Sequence, residues 1–141
     1  MNTALHVVGA CLYACVAVIS VVMALKALGA REFLPFQAVA AGKAWDEIGA
    51  GTQAVVTSLL RLSGLGFLVV GAQLGVVAVA GILHCDLVVT VALPLLSLGF
   101  CLGLCLVNLR LHRETGAKTP WRGSLYAAIA VAIGLALSVM R

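Results

Sequence analysis

Residues 62–83 read LSGLGFLVVGAQLGVVAVAGIL, a run without a single charged side chain. At 1.5 Å of rise per residue it is long enough to cross the roughly 30 Å hydrocarbon core of a bilayer as a helix. Three further runs of the same kind flank it, at 4–25, 87–107 and 123–140. Each reaches or approaches the roughly 20 residues that one span requires.

Composition points the same way. The chain has 141 residues, of which 63% are hydrophobic and 10% charged, far below the roughly 25% charged residues of a soluble domain. Its mean hydropathy is +1.17. The first run lacks the basic leading segment and shortness of a secretory signal, so it reads as a retained span. In lipid the backbone must satisfy its own hydrogen bonds, and the runs lack the alternating, turn-punctuated pattern of a barrel. The expected fold is therefore an all-α membrane protein. One domain covers 1–141, with four transmembrane helices at about 4–28, 53–83, 86–109 and 120–140 in one antiparallel bundle.

Basic residues give the orientation, because loops rich in Lys and Arg are held on the cytoplasmic side. Lys26, Arg31, Lys43 and Arg61 flank or occupy loop one, and Arg110, Arg113, Lys118 and Arg122 do the same for loop three; only Arg141 stands on the other side. Both termini are thus expected outside. Arg61, Trp45, Arg110, Arg113, Trp121 and Arg122 are expected at the lipid interface, with anionic headgroups as partners of loops one and three. Nucleic-acid binding is disfavoured, since the charges follow a topology rule and no recognition fold accompanies them.

Loop one, REFLPFQAVAAGKAWDEIGAGTQA (31–54), is too apolar for a solvated linker. Phe33, Phe36 and Ala40 can share one face of a short interfacial helix opened by Pro35, with Trp45 near its end and Asp46 and Glu47 in the next turn. Arg61 either snorkels to headgroups or pairs with Glu32, Asp46 or Glu47. At the start of the fourth span, Thr119-Pro120-Trp121 reads as N-cap, first-turn proline and interfacial aromatic. Pro94 interrupts the hydrogen-bond ladder of the third span, where a kink is expected.

Helices in lipid associate by close packing, so small residues mark contact faces. The second span carries Gly64, Gly71, Gly75 and Ala78 on one face and Gly66, Gln73, Ala80 and His84 on the opposite one. The third carries Ala92, Gly99 and Gly103, the fourth Gly123, Ala127, Ala130, Gly134 and Ser138, and the first Ala10, Ala14 and Ala17. These seams fit either packing within one chain or assembly with other chains.

Polar side chains within the spans are few. An amide facing lipid would leave its groups unpaired, so Gln73 is expected to point inward, as glue between helices or, with Thr90 and Ser97, along a polar path. The stretch GILHCDLVV (81–89) sets His84, Cys85 and Asp86 between two apolar runs. The first reading is a turn in which Asp86 caps the third span. A metal or catalytic site there would need His6, at the same end of the first span, to meet His84. Cys11 and Cys15 on the first span and Cys101 and Cys105 on the third lie at comparable depths, but read as small apolar packing residues. Cys85 is the thiol most open to an oxidising compartment. No cofactor is implied.

The segments FLPF (33–36), AW followed by GTQA, LLRLSGLGFLVVG (59–71) and TPWRGSLYAAI (119–129) resemble a group of small uncharacterised bacterial membrane proteins. That resemblance implies a four-helix fold and carries no activity; a bacterial inner membrane is the expected location. Small multidrug transporters and disulfide-forming membrane enzymes do not fit, for want of an embedded Glu and of paired redox cysteines.

Three functional classes follow. The leading one is a non-enzymatic membrane protein, an accessory or assembly subunit of a larger complex or a homo-oligomer packed through its small-residue seams. The second is a small transporter or channel for an apolar or weakly polar solute, lined by Gln73, Thr90 and Ser97. The third and least favoured is a lipid-modifying enzyme using His84 and Asp86 on one side or Asp46, Glu47 and Arg61 on the other.

Overall fold

The computed structural model describes residues 2–82 and 87–139, and the described residues contain helices and no strands. Five α-helices follow in order: α1 (Asn2–Gly29), α2 (Pro35–Ala41), α3 (Ala50–Ile82), α4 (Leu87–Thr115) and α5 (Trp121–Val139), with a 3₁₀ turn at Trp45–Glu47 between α2 and α3. The four long helices are each long and apolar enough to cross a membrane. The GILHCDLVV turn falls largely outside the described residues, so the expectations for His84, Cys85 and Asp86 lie there too.

The short helix in loop one forms where Pro35 presets the backbone. Leu34 before it is extended, as a residue preceding proline prefers. Leu34 N–H donates to Gln37 Oε1 at 3.0 Å, satisfying one of the donors that a helix start leaves open. Gly42 closes the helix at φ 61°, its N–H donating to Ala38 O. That left-handed conformation suits glycine and strains a residue with a Cβ. The Phe33 and Trp45 rings meet edge to face at 5.0 Å, and Gln53 Nε2 donates to Trp45 O at 2.8 Å. Loop one is thereby folded back along the start of α3.

Two boundaries differ from the hydropathy reading. Helix α3 starts at Ala50, ahead of the apolar run, with Gln53 N–H donating to Gly49 O. Helix α4 continues to Thr115, well past the expected end near 109, and takes Arg110, His112, Arg113 and Glu114 out of the loop. Local chemistry extends it. Arg110 Nε and Glu114 Oε1 pair at 2.7 Å with i,i+4 spacing, and Thr115 Oγ1 donates to Leu111 O. Gly116, at φ 69°, ends the helix by donating its N–H to His112 O. An apolar run ends where water begins, whereas a helix ends where its capping chemistry does.

Thr119 also departs from the expected role. Its hydroxyl does not cap α5 but donates to Asn108 O of α4 at 2.8 Å, while Pro120 O receives the first helical N–H groups, from Gly123 and Ser124. With Ala117 O bonded to the His112 ring at 2.7 Å, the 116–120 segment is tied back onto α4.

Helix α1 packs along α3 and α5, and α4 likewise packs along α3 and α5. The core they enclose is built on Tyr13, Val16, Leu74, Val77 and Val131. On α1 the buried face is Ala10, Tyr13, Val16, Ala17, Ser20, Ala24 and Ala27, while Ala14, expected in the seam, is exposed.

Candidate functional site

The two faces of α3 meet different neighbours. On one face a Cβ added to Gly64 would stand 2.8 Å from Leu28 Cγ, and one added to Gly71 would stand 2.9 Å from Val21 Cγ2 and 3.2 Å from Ala17 O, all on α1. The two shorter distances are below what van der Waals contact permits and the third is tight, so glycine there lets the backbones approach. On the opposite face a Cβ on Gly66 would stand 2.9 Å from the Phe100 ring of α4. Seven residues further along α3, Gln73 Oε1 accepts a hydrogen bond from Ser97 Oγ of α4 at 3.3 Å.

That contact places the candidate polar residues. Ser97 is fully buried and Thr90, two turns away on α4, is buried beside the interior residue Pro94, through which α4 continues unbroken. Gln73 itself is half-buried. The amide oxygen and the Ser97 hydroxyl satisfy each other across the helix pair, which offsets the cost of burying polar groups in an apolar surround.

A polar side chain that the sequence reading passed over lies at the α1–α5 contact. Tyr13 is 2% exposed, and its hydroxyl is buried without a full hydrogen bond among the described residues. Its polar neighbour is Ser138, which donates its own proton to Gly134 O at 2.9 Å. Gly134 makes room for the phenol ring, since a Cβ there would stand 2.8 Å from Tyr13 Cε1. The available signal was spacing: Tyr13 sits one turn from both Ala10 and Ala17, on the small-residue face.

The remaining glycines behave differently. Among the described residues, a Cβ on Gly75, Gly99, Gly103 or Gly123 would meet nothing within 4 Å. Gly99 and Gly103 are exposed on α4, on the sector that also carries Ala92, Leu106, Arg110 and Glu114.

The cysteines divide by environment. Cys11 and Cys15 are exposed on α1, whereas Cys101 and Cys105 are buried on α4, and all four are free thiols. Cys105 Sγ lies 3.6 Å from Trp121 O. Helices α1 and α4 share no extended contact, so the comparable depths of the two pairs do not translate into proximity. Among the described residues no three His, Cys, Asp or Glu side chains gather as a metal site would require. His6 is half-buried near the start of α1, and its supposed partner His84 lies outside the described residues.

At the basic end of the helices, Arg61, Arg110, Arg113 and Arg122 are exposed, and Trp45 and Trp121 are half-buried. No ion pair reaches Arg61 among the described residues. The Arg122 guanidinium stands 5.4 Å from the Trp121 ring centre, in cation–π range. Two open grooves flank α2. One, of about 350 Å³, is lined by Phe33, Gln37, Ala40, Leu60, Ser63 and Leu111; the other, of about 640 Å³, lies between α2 and the 116–120 segment.

Known proteins add nothing further: no protein family, curated protein or solved structure matches the chain.

Proposed function

We propose that the protein is a non-enzymatic integral membrane protein of assembly type, whose four spans form one antiparallel bundle that joins a second copy of itself through α4. The bundle reading is supported by the opposite order of contacts along α1 and α3, Gly64 against Leu28 and Gly71 against Val21. The orientation, with loops one and three in the cytoplasm, rests on the basic residues of those loops; placement in a bacterial inner membrane rests on the resemblance of FLPF and TPWRGSLYAAI to small bacterial membrane proteins.

The observation that carries the assembly reading is the uncovered Gly99-x-x-x-Gly103 face. Each glycine costs a helix interior about 1 kcal/mol relative to alanine, and a Cβ on either would meet nothing within 4 Å among the described residues. Small-x-x-x-small faces let two helix backbones approach closely in lipid. Copies inserted with one orientation would bring this face together about a two-fold axis along the membrane normal, residue against like residue. Arg110 and Glu114, on the same sector, already pair within each chain, so neither charge is left uncompensated there.

The Gln73–Ser97 hydrogen bond supports helix glue over a solute path for those side chains. The test of the assembly reading is energy transfer between donor- and acceptor-labelled copies in liposomes, measured while lipid dilutes the protein. Transfer that falls on dilution and is lost in Gly99→Leu and Gly103→Leu is expected. Equal transfer in these variants, or none at any density, would remove α4 as the interface.

A further inference from the structure

The geometry points to a binding site for one anionic phospholipid in the groove between α2 and the 116–120 segment. Its walls are Pro35, Phe36 and Val39 on one side and Ala117, Lys118 and Pro120 on the other, around a volume of about 640 Å³. That size is within the roughly 300–1,000 Å³ of clefts that hold small ligands. Lys118 is the one charged residue among those that line the groove.

Position identifies the occupant. Pro120 directly precedes Trp121, where the apolar helix α5 begins. The groove thus lies where a membrane span meets its basic loop, at the level of lipid headgroups and upper acyl chains. Helix α2 has no buried residue and Val39 is 67% exposed, so this apolar surface is left uncovered by the chain itself. An acyl chain covers it at the favourable cost of apolar burial. Lys118 lines the groove and is exposed, so its ammonium can reach a lipid phosphate at the rim.

Charge complementarity favours an anionic lipid over a zwitterionic one. Eight of the nine Lys and Arg residues belong to this end of the molecule, against four of the five acids. Diffuse attraction to the leaflet would follow from that excess alone; the groove adds a seat that a single cation, Lys118, selects. The 116–120 segment is held in place by Thr119 on Asn108 O and His112 on Ala117 O, so one wall is preformed.

The test uses Trp121 as reporter in a Trp45→Phe background, reconstituted in phosphatidylcholine vesicles. Dibrominated phosphatidylglycerol and dibrominated phosphatidylcholine are titrated in turn as quenchers. The anionic lipid is expected to quench at about five-fold lower mole fraction, the ratio that one cation at a lipid surface supplies. Lys118→Gln and Val39→Glu should bring that ratio close to one, Lys118→Arg should restore it, and Lys43→Gln, outside the groove, should leave it unchanged. Equal quenching by both lipids, or equal loss in Lys43→Gln and Lys118→Gln, would overturn the site. Reversal of quenching by millimolar glycerol phosphate would overturn the lipid assignment, because a chainless anion would then suffice. Circular dichroism on each variant separates loss of binding from loss of helix, and Val39→Glu carries the test if Lys118→Gln fails to fold, an unchanged ratio there overturning the site.

Discussion

Gly134 of α5 gives Tyr13 of α1 the space its ring occupies: a Cβ on Gly134 would stand 2.8 Å from Tyr13 Cε1 and 2.9 Å from Cζ. A phenol ring in a full core has no rotamer to retreat to. Gly134→Ala is therefore expected to destabilise by about 1–3 kcal/mol, as overpacking does. Thermal unfolding in detergent measures it, and Tyr13→Leu in the same chain should recover much of the loss. Tyr13→Phe alone should be nearly neutral, because the hydroxyl makes no full hydrogen bond. A large loss in Tyr13→Phe would show that its hydroxyl is in fact bonded.

On α3, Gly71 and Gly75 are one turn apart and should respond oppositely to alanine. At Gly71 the added methyl would stand 2.9 Å from Val21 Cγ2 and 3.2 Å from the Ala17 carbonyl, and backbone cannot give way cheaply. A loss of about 1–3 kcal/mol is expected there. At Gly75 the methyl would meet nothing within 4 Å, so the helix gains up to about 1 kcal/mol in propensity. Resistance to unfolding by added dodecyl sulfate ranks the two variants, and equal effects would contradict the α1–α3 contact.

The Gln73–Ser97 bond should couple α3 to α4 weakly. A double-mutant cycle with Gln73→Leu and Ser97→Ala is expected to yield about 0.6 kcal/mol, the average for such bonds in membranes. Zero coupling with two large single losses would place the partners of these side chains elsewhere.

Helix α4 owes its last turns to its capping residues. Gly116→Ala forces a Cβ into the left-handed region at φ 69°, which costs about 1–2 kcal/mol. Thr119→Val removes the hydroxyl that holds Asn108 O, at about 1 kcal/mol. Both changes should raise amide hydrogen exchange at 110–115 while leaving the middle of α4 protected. Unchanged exchange would mean that the Arg110–Glu114 pair alone sustains the end.

How far the fold could be read ahead of the structure differs by element. The four long apolar helices and the short helix opened by Pro35 follow from runs, caps and proline, all local features. The end of α4 was misplaced because Arg110 to Glu114 are hydrophilic yet helical, held by an ion pair and a glycine cap that hydropathy does not register. Thr119 was misassigned for a related reason: its hydroxyl found a carbonyl eleven residues back instead of the adjacent helix start. Tyr13 escaped notice because a phenol inside an apolar run looks like one more large core residue.

By itself the sequence determined the solvent. Length, apolarity and the gathering of nearly all charge in or beside two loops make four helices suited to a bilayer the consistent outcome, since each property belongs to one segment and survives any arrangement of the others. Only the tertiary structure decided which faces touch. These helices are apolar on nearly every side, and lipid is as apolar as a protein interior, so no hydrophobic contrast separates a packed face from a lipid-facing one. Gly71 and Gly99 are the same residue in similar surroundings along the chain. One is pressed against Val21 and the other stands open because of where α1 lies.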